Sequence, residues 1–243
     1  MSSIDDLSSM VPLLQDIHSD KDNAFFRKSD TSNIALCVAW KSRVSTLAKI
    51  AVANQEIGGF HGIDKNCLKE LAQLSIDVSS IVSLPTILAK KGIILVYEKT
   101  LPRMKLDGVV FALDSGHPVI GISFRFPRLD NFWFTLMHEL AHINLHKDIL
   151  NATIFDDLEI NNIEVAEKMA NRLAKYSFVE KHLWRNCAGK YDISDGTVIE
   201  FSNKIGIHPA IVAGMLQKEL NKFQMFRKIV DEVDVRREVF GND

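Results

Sequence analysis

The spacing of apolar residues changes period twice along the chain. Up to about Leu84 they recur every three to four positions, as in Ile34, Ala35, Val38 and Ala39 followed by Val44, Leu47, Ile50 and Ala51, which predicts a mainly helical first third. Gly58, Gly59 and Gly62 interrupt that rhythm. Asp64 is then placed to cap a helix carrying Leu68, Leu71, Ala72 and Leu74, its carboxylate accepting from the unpaired N–H groups of the first turn. A further short helix ends before Gly92. Beyond it, residues 93–97, 108–113 and 119–126 are apolar runs that read as strands. Asp114-Ser115-Gly116 is a turn, so the last two strands form an antiparallel hairpin, with Pro118 and Pro127 at strand ends. Helical spacing returns over residues 130–144 and again over about 160–179 and 211–230.

These elements imply an α+β fold in which a small antiparallel sheet packs against the 130–144 helix, with helical segments at both ends. The expected division is a helical region at 1–85, a core at 86–185 and a C-terminal helical region at 186–243 packed on that core. No internal repeat or Pro/Ser-rich linker separates them, so the parts are expected to pack as one unit.

The candidate chemistry lies in His138-Glu139-Leu140-Ala141-His142, an H-E-x-x-H sequence inside a strongly apolar helix. Residues four apart on a helix lie one turn above each other, so His138 and His142 can aim both imidazoles at one ion. Glu139 then sits beside the ion, where a carboxylate can take a proton from water activated by the ion and pass it to a leaving amine. Chance placement of these residues is disfavoured, because a buried helix would leave His and Glu without partners at a cost of several kcal/mol.

A hydrolytic zinc site takes three protein ligands and keeps one open position. His146 shares the helix face but lies roughly 12 Å from His138 at 1.5 Å rise per residue, beyond the reach of one ion. Leu145 stands where a longer zinc motif has a turning glycine, so His146 reads as a supporting or core histidine. On the next long helix Glu164, Glu167 and Asn171 share a face beside a stripe of Ala166, Ala170 and Ala174 that permits close helix approach. Glu167 borders the stripe and is favoured over Glu164.

Composition narrows the setting. The chain has 243 residues, 47% apolar and 25% charged, enough for a real core and unlike a disordered segment. Lys and Arg total 29 against 31 Asp and Glu, so no global basic field attracts nucleic acid. Cys37, Cys67 and Cys187 are too few and too irregularly spaced for a disulfide framework or a thiolate zinc site. No signal peptide or membrane span is legible, and a cytoplasmic protein is expected.

The chain resembles the ImmA/IrrE-like zinc metallopeptidases, a bacterial and phage group with a zincin-like core. The resemblance rests on Phe134-Thr135-Leu136 before the H-E-x-x-H, on Leu145-His146 after it, and on Glu167 through Asn171 followed by Leu173-Ala174. It spans about residues 92–179. The family pattern F-T-L-x-H-E-x-x-H, then E-x-x-A-N-x-x-A, implies Glu167 as third ligand. It also implies a protein substrate, a Cro-type repressor encoded nearby, cleaved in stress responses or mobile-element induction. Many relatives carry an Arg where this chain has Asn131. Phe25-Phe26-Arg27-Lys28 and Ala39-Trp40 resemble the segment that, in longer relatives, connects a helix-turn-helix domain to the core.

Other features are weighed against plainer readings. Residues 198–220 have the rhythm of a helix-turn-helix with Gly206 at the turn, but the second helix offers few side chains for base edges, and a hairpin covering the core is preferred. The basic residues Lys218, Lys222, Arg227, Lys228, Arg236 and Arg237 alternate with acids and read as a solvated face, so direct nucleic-acid binding is not expected. Residues 119–124 are either a plain core strand or the edge that holds an extended peptide. Tyr176, His182 or an Arg could stabilise an oxyanion. Trp40 and Phe25-Phe26 are expected in the core.

Together these readings give a zinc-dependent metalloendopeptidase, with His138, His142 and Glu167 on the metal and Glu139 as base, and Mn²⁺ or Fe²⁺ as possible substitutes. The competing reading is a non-catalytic regulatory or antitoxin-like binding module on the same scaffold. Glu139 disfavours it, since a scaffold has no need of a base beside the metal.

Overall fold

The computed structural model describes residues 31–54, 56–145 and 160–241; His146 and Phe25-Phe26 lie outside them. The first third is helical as its spacing predicts: α1 (Thr31–Asn54), α2 (Lys65–Gln73) and α3 (Ser80–Ala89). The Asp64 carboxylate accepts from the Cys67 N–H at 2.7 Å, the cap expected from the sequence. After α3 the chain turns at Gly92, whose φ of 76° and approach to the Phe60 backbone leave no place for a side chain.

Three strands follow: β1 (Ile94–Tyr97), β2 (Gly108–Ala112) and β3 (Pro118–Ile122). β2 and β3 form the expected hairpin, closed by Gly116 N–H to Leu113 O at 2.8 Å. The sheet is mixed and not antiparallel throughout, because β3 inserts between the other two in the order β1-β3-β2 and so runs parallel to β1. β3 is therefore the central strand, and β1 and β2 are the two edges, β2 being the one that begins against Glu139. β3 also stops earlier than its apolar run. Ser123 bonds back to Leu106 and Asp107, and Phe124 takes a left-handed φ of 52°.

The alternation of side chains divides the core. Ile94, Val96 and Val119 face Trp40, Val44 and Ala48 of α1, while Leu95, Ile120 and Ile122 join a larger cluster. That cluster includes Leu129, Phe132, Trp133, Leu136 and Leu140 of α4 (Leu129–Leu145). α1 rides close on the sheet, since a Cβ at Gly121 would come within 2.9 Å of Val44. Trp40 is fully buried, as expected, and its indole N–H donates to Lys99 O at 3.2 Å.

The remainder is helical: α5 (Ile160–Phe178), α6 (Lys181–Arg185), α7 (Asp195–Ile205), α8 (Pro209–Leu220), α9 (Arg227–Val230) and α10 (Val235–Phe240). α7 and α8 are joined through Gly206 at φ 72°. Every residue of α8 from Ala210 to Gln217 is buried, which excludes it from a nucleic-acid groove and makes the pair a covering hairpin. The single helix expected over 211–230 is two helices. Asn221 and Phe226 adopt left-handed φ, and the buried Gln217 amide donates to Phe223 O and Met225 O, holding the reversed chain in place.

Candidate metal centre

α4 is anchored by its apolar side, with Leu129, Phe132, Trp133, Leu136, Met137, Leu140 and Ile143 all buried. Asn144 ties its last turn to Ile63 O at 2.7 Å. The opposite side then presents His138 and His142 one turn apart, both half-buried. Their Nε2 atoms stand 3.0 Å from each other. α5 packs against α4 with Ala170 and Ala174 buried, which brings the Glu167 carboxylate in. Glu167 Oε2 is 3.2 Å from His138 Nε2, and Oε1 is 3.1 Å from His142 Nε2.

Among the described residues, His138, His142 and Glu167 form the group of metal-ligating atoms that could share one ion. Ligands bonded at about 2.0–2.1 Å in tetrahedral geometry stand about 3.3 Å apart, close to the separations seen here. Two imidazole nitrogens and one carboxylate suit a borderline divalent cation such as zinc. Glu164, the rejected alternative, is exposed and pairs with Lys168 at 2.8 Å.

The electrostatics follow from this crowding. Burial opposes charge on His138, but Glu167, Glu139 and Asn171 together raise its pKa. Hydrogen bonds from His138 and His142 hold Glu167 far below the usual carboxylate range. Burial pushes Glu139 up to about 7, with His138 and His142 opposing and the carboxylates of Glu167 and Asp107 adding to the rise.

Glu139 does not join the three converging groups. It lies on the sheet side of α4, where a Cβ built on Gly108 would stand 2.8 Å from Glu139 Oε1. Sequence reading missed Gly108 and Asp107, because their proximity to Glu139 arises only when β2 docks on α4. It also missed Arg125, which pairs with Asp107 through Nε–Oδ1 at 2.6 Å and Nη2–Oδ2 at 3.1 Å. Asp107, Arg125, Asn131 and Thr135 line a narrow cleft with Phe124 and Phe132. Asn131 thus shares its cleft with Arg125. Of the oxyanion candidates, an arginine, Arg125, is in this cleft, while Tyr176 and His182 lie elsewhere. His182 is exposed and pairs with Glu180 at 3.3 Å, and Tyr176 lies roughly 13 Å along α5 from Glu167 at 1.5 Å per residue.

Comparison with known proteins defines the class. Residues 89–207, about half of the chain, match the peptidase family described as the IrrE N-terminal-like domain. The chain carries a domain of this ImmA/IrrE-like, metallopeptidase-type family, and its α+β core with a small sheet is of the zincin-like kind. The His138, His142 and Glu167 cluster is compatible with a divalent metal. A solved Mycobacterium tuberculosis transcriptional regulator is similar at 17% identity and a TM-score of 0.36, over 67% of this chain and 48% of that one. The chain thus spans about half the length of that structure. No curated protein sequence matches it. No helix among the described residues is long and apolar enough to cross a membrane.

Proposed function

We propose that this chain is a zinc-dependent metalloendopeptidase that hydrolyses a peptide bond in a protein substrate, a transcriptional repressor encoded nearby. The observation that carries the chemistry is the convergence of His138 Nε2, His142 Nε2 and the Glu167 carboxylate at 3.0–3.2 Å, next to the buried Glu139. The family resemblance supplies the repressor and the setting, stress response or mobile-element regulation.

His138, His142 and Glu167 would hold the ion, and three protein ligands leave a position for water, as a hydrolytic site requires. Zinc, when bound, supplies Lewis acidity for the scissile carbonyl and makes water a nucleophile near neutral pH. Glu139 accepts the proton of the attacking water and returns it to the departing amide nitrogen. A carboxylate held beside the ion is suited to both transfers. The substrate is held as an added strand along β2, which has no strand partner on its outer side among the described residues and whose first residue abuts Glu139.

The test is co-expression of the neighbouring repressor with the wild type and with Glu139→Gln, followed by intact-mass spectrometry. The substitution keeps the shape and removes the base. Fragments with the wild type alone are expected, and their masses locate the bond. A repressor bound but left whole by both would replace this reading with the binding-module one.

A further inference from the structure

Gly108 stands where no backbone requirement calls for glycine. It pairs with Ile122 in the β2–β3 ladder and is absent from the positive-φ positions. A glycine in a strand weakens it, having no side chain to pack and more conformational freedom to lose. What requires glycine here is space. A Cβ at this position would lie 2.6 Å from Thr135 Cγ2, 2.8 Å from Glu139 Oε1 and 3.2 Å from Glu139 Cγ. All three contacts are with the row of α4 that faces the sheet, and none is with His138, His142 or Glu167.

We propose that Gly108 is a positioning residue for Glu139. The bare backbone at the head of the edge strand is the wall on which the carboxylate rests. Glu139 is 8% exposed, so its carboxylate fills a confined space and cannot keep its position when that wall advances. A single methyl group at residue 108 therefore displaces the base and leaves the metal ligands in place. The same contact fixes the substrate's register, since a peptide paired along β2 passes the base at the Gly108 end. This inference rests on the metallopeptidase reading, within which it assigns the element that aims the base.

The experiment compares wild type, Gly108→Ala, Gly108→Ala/Thr135→Ser and Glu139→Gln, each loaded with zinc. Three quantities are measured: zinc affinity by competition with a chromophoric chelator, kcat and KM on the repressor cleaved by the wild type, and the Glu139 position in crystal structures. For Gly108→Ala, zinc affinity and KM are expected within about twofold of wild type and kcat about 10- to 100-fold lower, the effect of misplacing a base by about 1 Å. Thr135→Ser removes the nearer obstacle, Cγ2, and spares the contact with Glu139, so the double variant is expected to remain impaired. It also relieves the contact most able to prevent folding. Recovery of kcat in the double variant would overturn the proposal, as would a Glu139 carboxylate that superposes on the wild type's. If wild type and Glu139→Gln both cleave nothing, the peptidase reading fails, and the crystallographic position of Glu139 still decides the role of Gly108.

Discussion

The strongest stability prediction concerns Asp130, in the first turn of α4. Its carboxylate is 5% exposed and takes both arms of Arg128, Nε to Oδ1 at 2.9 Å and Nη2 to Oδ2 at 2.7 Å. Arg128 Nη2 also donates to Gln217 Oε1 at 2.8 Å, so the pair joins α4 to α8. α8 comes so near that a Cβ on Gly214 would meet Asp130 Oδ2 at 2.1 Å. That explains a glycine in the middle of a buried helix despite a cost of about 1 kcal/mol relative to alanine. Asp130→Asn removes the charge and keeps the shape. Breaking a buried ion pair costs about 3–5 kcal/mol, and losing an anion from a helix's first turn about 0.3–1 kcal/mol. The Arg128 side chain is 23% exposed, so water relieves part of the loss, and the asparagine oxygen can still accept one bond. The expected destabilisation is about 2–3 kcal/mol, which for a chain of this size lowers Tm by roughly 5–10 °C. Melting followed by far-ultraviolet circular dichroism, with urea midpoints as a second measure, checks this. Zinc affinity should be unchanged, because His138 lies roughly 12 Å further along the helix. A loss below about 1 kcal/mol would refute the reasoning, since the pair would then contribute no more than an exposed one.

Two further outcomes follow from the site and its surroundings. Zinc at 100 times its Kd should stabilise the fold by about 2.7 kcal/mol, raising Tm by roughly 5–10 °C, and a chelator should reverse the gain. His138→Ala should abolish that shift; an undiminished shift in the variant would place the ion elsewhere. The second outcome is a pH dependence at Glu219. Burial would raise its pKa, but hydrogen bonds from Lys175, Lys190 and Trp184 hold it down to about 2. A folded-state pKa below the unfolded value gives stability that is complete above about 4.5 and is lost as pH falls from there toward 2. Glu219→Gln should flatten the decline of Tm across that window, and an unchanged slope would show that other carboxylates govern it.

The convergence of the proposed metal ligands was legible because their geometry is mostly local. H-E-x-x-H needs only one helix to bring His138 and His142 to a 3.0 Å separation, and the apolar residues around them fix which side faces out. Glu167 needed one tertiary inference, close packing of α5 on α4, which the alanine stripe signals through its small side chains. Turn chemistry was legible at Asp64 and Gly206 for the same reason, each acting within a few residues of itself. The break at Asn221 was hidden. It depends on Gln217 being buried and donating to carbonyls six and eight residues ahead, which no apolar period records.

The arrangement of the sheet is a different case, and it decides how a substrate would be held. Residues 108–112 and 118–122 are similarly apolar, Gly-Val-Val-Phe-Ala against Pro-Val-Ile-Gly-Ile. Hydrophobicity therefore cannot tell an edge strand from a central one. The structure separates them by burial, β2 being half-buried throughout and β3 buried at every position. That difference results from strand order: β3 has a partner on each side, while β2, among the described residues, has a strand partner on one side only. Because the turn at Leu113–His117 forces β2 and β3 to be neighbours, the open question was which of them β1 joins. Pairing with β3 buries Ile94 beside Val119 and Leu95 beside Ile120, and it leaves Gly108, whose missing side chain makes room for Glu139, on an edge strand. The strand that completes the core and the strand left at the edge near Glu139 are thus chosen by a single pairing, and that choice sets the proposed base and an edge ladder side by side.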